Sequence, residues 1–62
     1  GTVISSTVLN IRSGPGTSYS RVGQLQPGAR VEITEQTRVG GVLWGHISRG
    51  WVCMQYVKME SN

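Results

Sequence analysis

The sequence predicts a small all-β fold, a barrel or sandwich of about five short antiparallel strands. Three features carry that expectation. Eight Val, four Ile and five Thr stand against one Ala and three Leu, so β-branched side chains dominate and favour extended backbone over helix. Nine Gly and two Pro punctuate the chain and leave no interval long enough for a stable amphipathic helix. Between these breaks apolar and polar residues alternate, the period that turns one face of a strand to a core and the other to water.

The first strand is expected at 3–5 or 8–12, where Leu9 and Ile11 flank Asn10. Ser13-Gly14-Pro15-Gly16 then breaks the pattern, with Pro15 and the glycines setting a tight loop ahead of Thr17 and Tyr19. A second strand is expected at 21–25, ended by Pro27-Gly28, and a third at 30–38, where Val31 and Ile33 flank Glu32. Gly40-Gly41 tolerates positive φ and suits a hairpin tip leading into a strand at 42–48. Ser48-Arg49-Gly50 turns the chain again into a last strand at 51–57. Closing such short strands into a barrel limits exposed edges.

Sixty-two residues make one domain, because a chain this short buries only about 60% of the surface it exposes when unfolded. A second core is excluded. One Cys forms no internal disulfide, and one Cys with one His falls short of a structural zinc site, so no metal and no cofactor is expected. No apolar run approaches the roughly 20 residues that cross a bilayer. Starting at Gly1-Thr2-Val3 and stopping at Glu60-Ser61-Asn62, the chain reads as a piece of a longer protein.

The net charge is +3, from six Lys/Arg against three Glu and no Asp. Arg12, Arg21, Arg30, Arg38, Arg49 and Lys58 fall at intervals of 8 to 11 residues, which reads as solvated surface at about one per strand or turn. Nucleic-acid binders gather such charges on one face.

Little catalytic chemistry is available. Cys53 and His46 would meet across the last hairpin only in one register, and no Asp exists to orient the imidazole. Cys53 is therefore read as a small apolar strand residue, with His46 on the exposed side. Glu32 and Glu35 point to opposite faces of an alternating strand and form no acid pair. Gly14-Pro15-Gly16 lacks the Gly-Lys-Ser/Thr and the helix of a phosphate loop.

The aromatics say more. They are Tyr19, Trp44, Trp51 and Tyr56, with no Phe, and rings carrying a polar atom suit a boundary with water. Tyr19 follows the Gly16 loop and Trp44 starts a strand, so both read as rim positions, while Trp51 reads equally as cover for the barrel.

Two segments carry a family likeness. Val8-Leu9-Asn10-Ile11-Arg12-Ser13-Gly14-Pro15-Gly16-Thr17-Ser18-Tyr19, with Val22-Gly23-Gln24-Leu25 and Pro27-Gly28, resembles the opening of bacterial SH3-like domains, and Gly50-Trp51-Val52-Cys53-Met54-Gln55-Tyr56-Val57 resembles their closing "GWVxxxYV". The resemblance spans residues 3–58. Cys53 and Met54 stand where relatives often carry small polar residues. The resemblance implies a small half-open barrel, carried without catalytic activity by secreted bacterial or phage proteins. Neighbouring domains in that family are wall peptidases, amidases and lysozymes.

On that likeness the expected partner is peptidoglycan or another cell-wall polymer, the attached domain a wall hydrolase, and the location extracellular or at the wall. The expected ligand-binding residues are Thr17, Tyr19, Trp44 and Tyr56, on a chain that is monomeric when isolated. By motif, Trp44 and Tyr56 also match groove positions of eukaryotic SH3 domains. The loop at 13–20 carries no acid to hold a basic ligand residue, which argues against Pro-rich peptides. A second reading makes the domain a structural or regulatory module packed on its own enzyme domain or another protein. A third, a nucleic-acid-binding barrel, needs the arginines to share a face.

Overall fold

The computed structural model describes residues 1–59, and within them the chain is all-β. Seven strands appear in chain order: β1 (Thr2–Val3), β2 (Leu9–Arg12), β3 (Arg21–Leu25), β4 (Glu35–Val39), β5 (Val42–Ile47), β6 (Gly50–Cys53) and β7 (Val57–Lys58). A single turn of 3-10 helix, Met54–Tyr56, separates β6 from β7. Five strands form one antiparallel sheet in the order β3-β2-β6-β5-β4, while β1 pairs with β7. No helix among the described residues is long and apolar enough to cross a membrane.

Alternation explains the core. Leu9 and Ile11 of β2 are buried while Asn10 and Arg12 between and after them are not. Ile47, Val52, Met54 and Val57 join them from the second half of the chain, and Val31, Ile33 and Leu43 pack against the cluster. Each fully buried aliphatic side chain contributes about 1.5–3 kcal/mol relative to exposure. Gly45 is part of the same fit, since a Cβ there would overlap the Met54 sulfur and press on Ile33.

The hairpins follow the turn chemistry. Val39 pairs with Val42 across a two-residue loop in which Gly40 and Gly41 both have positive φ, 58° and 81°, the geometry of a type I′ turn. Ile47 pairs with Gly50 across Ser48-Arg49.

The structure departs from the sequence expectation in three places. Both candidate first segments are used, as β1 and β2, because the chain turns between them. The strand expected at 30–38 is only regular from Glu35. Its first part crosses between sheets: Arg30 bridges Thr2, the Val31 amide donates to the Gly1 carbonyl at 2.9 Å, and the Thr34 amide then donates to the His46 carbonyl at 2.9 Å. No single ladder holds both ends, so the segment carries Val31 and Ile33 over the core without regular pairing. The strand expected at 51–57 is broken by the 3-10 turn, which redirects the chain so that Val57 pairs with Val3 of β1.

Candidate functional site

The site is built on the side of the large sheet that faces away from the core. Along β5, Leu43 and Ile47 pack into the core, so Val42, Trp44 and His46 point the other way. Strand pairing extends that face sideways: Thr37, Trp44 and Cys53 form one row, and Glu35, His46, Trp51 and Arg12 the next. A side chain on this face needs its own cover. Trp44 finds it, being only 5% exposed while lying outside the core cluster.

A groove of about 600 Å³ lies over Trp44. Arg12, Cys53 and Val42 line it from the sheet, Thr17 and Ser18 from the loop after β2, and Gln55 and Tyr56 from the 3-10 turn. Ser5, Thr7 and Val8 close the remaining side. The 3-10 turn is what brings Tyr56 here, because a continued strand would have carried it along the sheet. Tyr56 as a residue is 46% exposed.

The loop between β2 and β3 is held at several points. Its ends are tied by the Ser13 amide donating to the Ser20 carbonyl at 2.9 Å, and inside it the Gly16 amide donates to the Gly14 carbonyl at 2.9 Å. Arg12 donates from Nη1 to the Tyr19 carbonyl at 3.3 Å. The Tyr19 ring lies on Gly14, where a Cβ would come within 2.5 Å of ring carbons.

Of the residues expected to bind ligand, Thr17, Trp44 and Tyr56 are therefore brought together in one groove. Tyr19 is not among the groove-lining residues; its ring lies against the loop's own backbone at Gly14, and the residue is 48% exposed. Arg12, Asn10 and Gln55 line the groove although sequence reasoning did not single them out. For Arg12 the signal was present, since alternation with Ile11 assigns it to the face opposite the core.

Cys53 and His46 are not opposed. Cys53 pairs with Trp44, and His46 pairs with Trp51, so the two share a face but sit two rungs apart, with the Gly45–Val52 pair between them. The His46 ring lies 4.8 Å from the Trp51 ring at 51°, and its Nδ1 is 3.1 Å from the Thr34 hydroxyl. His46 is thus half-buried beneath these contacts, more covered than expected. Cys53 fills a strand position as expected, but on the groove side and not in the core. Among the described residues no group of three or more His, Cys, Asp or Glu could hold a metal.

The arginines are divided. Arg12 lies in the groove, whereas Arg30 and Arg49 line a separate hollow of about 310 Å³ together with Glu32. The gathering on one face that a nucleic-acid surface needs is not what these three positions make.

Comparison with known proteins adds a relation to this geometry. Residues 7–58 match the family described as bacterial SH3 domain. The chain is also 35% identical over 49 residues, 79% of its length, to the Bacillus subtilis (strain 168) protein named "Putative N-acetylmuramoyl-L-alanine amidase YrvJ". It spans 10% of that protein's length.

Proposed function

This chain belongs to the bacterial SH3 domain family, and from that premise we propose that it is a non-catalytic module that binds bacterial peptidoglycan and holds an attached hydrolase at the cell wall. The observation that carries the reading is the groove over Trp44: an aromatic floor, the exposed Tyr56 ring beside it, and walls of hydroxyl and amide groups with Arg12 among them. Such a surface matches a polymer of sugars and short peptides, which offers C–H faces to rings and amides or hydroxyls to the walls. Thr17 is the polar contact from the loop, and Tyr19 acts by keeping that loop in shape. Support for an extracellular, wall-bound setting comes from the relative's name, since N-acetylmuramoyl-L-alanine is the junction of sugar and peptide in peptidoglycan.

A non-catalytic role is supported by the placement of the two groups with nucleophile and base chemistry. His46 faces Trp51 and Cys53 faces Trp44, so neither activates the other. Affinity per module is expected to be modest, and tethering to an enzyme raises the local concentration of sites.

The test is co-sedimentation of the chain with purified cell walls at low salt. Retention is expected, and Tyr56→Ala is expected to reduce it several-fold, because that ring is half exposed and contributes little to the core. A chain that stays wholly in the supernatant would reject the proposal.

One observation favours a second reading, docking on a neighbouring domain. Ile4, Val8 and Tyr56 are all exposed, and the Ile4 amide donates to the Tyr56 carbonyl at 2.9 Å, so at least two of these apolar surfaces adjoin. Burial of Tyr56 against another domain in a longer protein, with no wall retention of the chain alone, would favour that reading.

A further inference from the structure

Among the described residues Arg12 is the only charged one that lines the groove. It is half-buried, and among the described residues its guanidinium donates to the Tyr19 carbonyl at 3.3 Å and makes no other hydrogen bond, leaving most of its five N–H groups available. Glu32 and Glu35, the only carboxylate side chains among the described residues, lie outside the lining. Outside the lining a second cation stands near it, for Arg12 pairs with Arg21 on β3 just past an irregularity in the register after Ile11. Like charges in that relation repel, and Glu35, the acid on the same face of the sheet, stands three strands away on β4, too far to offset them. An anion in the groove would.

We infer that the groove recognises a short peptide segment bearing a free carboxylate, and that Arg12 is the group that holds that carboxylate. The inference rests on the wall-binding reading and names the part of the polymer the groove takes. The remaining lining decides between anions. A phosphate polymer presents a row of charges and calls for several cations in line, but this groove supplies one. Asn10, Gln55, Thr17 and Ser18 are neutral donors and acceptors suited to peptide amides on either side of a single charge. A planar guanidinium matches a carboxylate through paired N–H donors, which a lone ammonium does not reproduce. Trp44, 5% exposed, presents only a narrow patch of ring at the floor, which small side chains such as Ala or Gly fit.

The experiment titrates the chain with N-acetyl-trialanine as the free acid and as the C-terminal amide, followed by NMR amide shifts. At low salt the acid is expected to bind about five- to tenfold more tightly than the amide, an advantage that shrinks as salt rises. Arg12→Gln is expected to erase the difference between the two peptides, and Arg12→Lys to keep part of it. A merely structural Arg12 would instead weaken both peptides equally and leave their ratio unchanged, and that result overturns the inference. So does equal binding of acid and amide by the unaltered chain, which needs no variant to fold. Tighter binding of a polyphosphate than of the acid peptide would also overturn it, in favour of a phosphate polymer. If neither peptide binds but the chain still sediments with walls, this inference fails while the wall-binding proposal stands. Loss of both would sink the two together.

Discussion

The two sides of β5 are nearly equally buried and differently made. Ile47 is 3% exposed and Trp44, three residues earlier on the opposite side, is 5% exposed. Ile47 belongs to the aliphatic cluster with Val52 and Leu25 and only borders the smaller hollow of Arg30, Glu32 and Arg49 at its edge, whereas Trp44 lies outside that cluster, under a groove edged by an arginine, hydroxyls and amides. Burial alone therefore does not distinguish a core residue from the floor of a site. What separates them is the company each keeps: a core closes on itself, and a floor is covered by groups that still have hydrogen bonds to give. On this view the inner face should answer to changes of volume, and the outer face to changes of chemistry.

The sharpest way to break that comparison is to cut the inner face. Ile11 is fully buried at the centre of the cluster, and Ile11→Ala is expected to cost about 2–5 kcal/mol in lost transfer energy and cavity. A domain of this size has a total stability of only about 3–9 kcal/mol, so the variant should unfold at much lower urea or not fold at all. Urea denaturation followed by tryptophan fluorescence reads this directly. A variant that keeps its midpoint yet loses wall retention would mean that the inner face takes part in binding, and the division into two faces would be wrong.

A smaller effect is expected where the loop meets the outer face. Gly14→Ala puts a methyl group against the Tyr19 ring, but that ring is half exposed and can swing outward, so the cost should lie near 1 kcal/mol. The functional loss should exceed the stability loss. With Tyr19 displaced, the turn that presents Thr17 loosens, and wall retention is expected to fall several-fold. Retention at the original level would show that the groove does not depend on the loop's shape.

Much of this was legible in the residue pattern, and the reasons it stopped are physical. Alternation at Leu9-Asn10-Ile11 and the paired glycines at 40 and 41 report on local geometry, and both act as local chemistry dictates. The 30–38 segment defeats the same logic because its two ends pair with strands in different sheets, a long-range fact that Val31-Glu32-Ile33 does not encode. Residue type together with the motif match to SH3 groove positions marked Trp44 and Tyr56, and the groove contains both. Tyr19 carried the mark of residue type, but its ring serves the backbone at Gly14, which only the fold of the loop reveals. Arg12 was hidden by a different error of scale. Its spacing from other cations describes the chain as a line, whereas its role depends on the face of β2, two positions beyond Asn10 and opposite Ile11.

Cys53 offers the mildest and most discriminating test of the outer face. It pairs with Trp44 and lines the groove, yet its thiol has no oriented base beside it, since His46 is engaged with Trp51 and Thr34. Cys53→Ser changes one atom, keeps a small side chain, and is expected to alter stability by no more than about 1 kcal/mol. Wall retention should stay within about twofold, because a hydroxyl fits among Thr17, Ser18 and Gln55 as readily as a thiol. If retention vanished in a variant whose urea midpoint is unchanged, the thiol itself would be a binding or reacting group. The outer face would then be more than an inert surface for adhesion, and the reading of Cys53 as a small filler of its strand position would have to be given up.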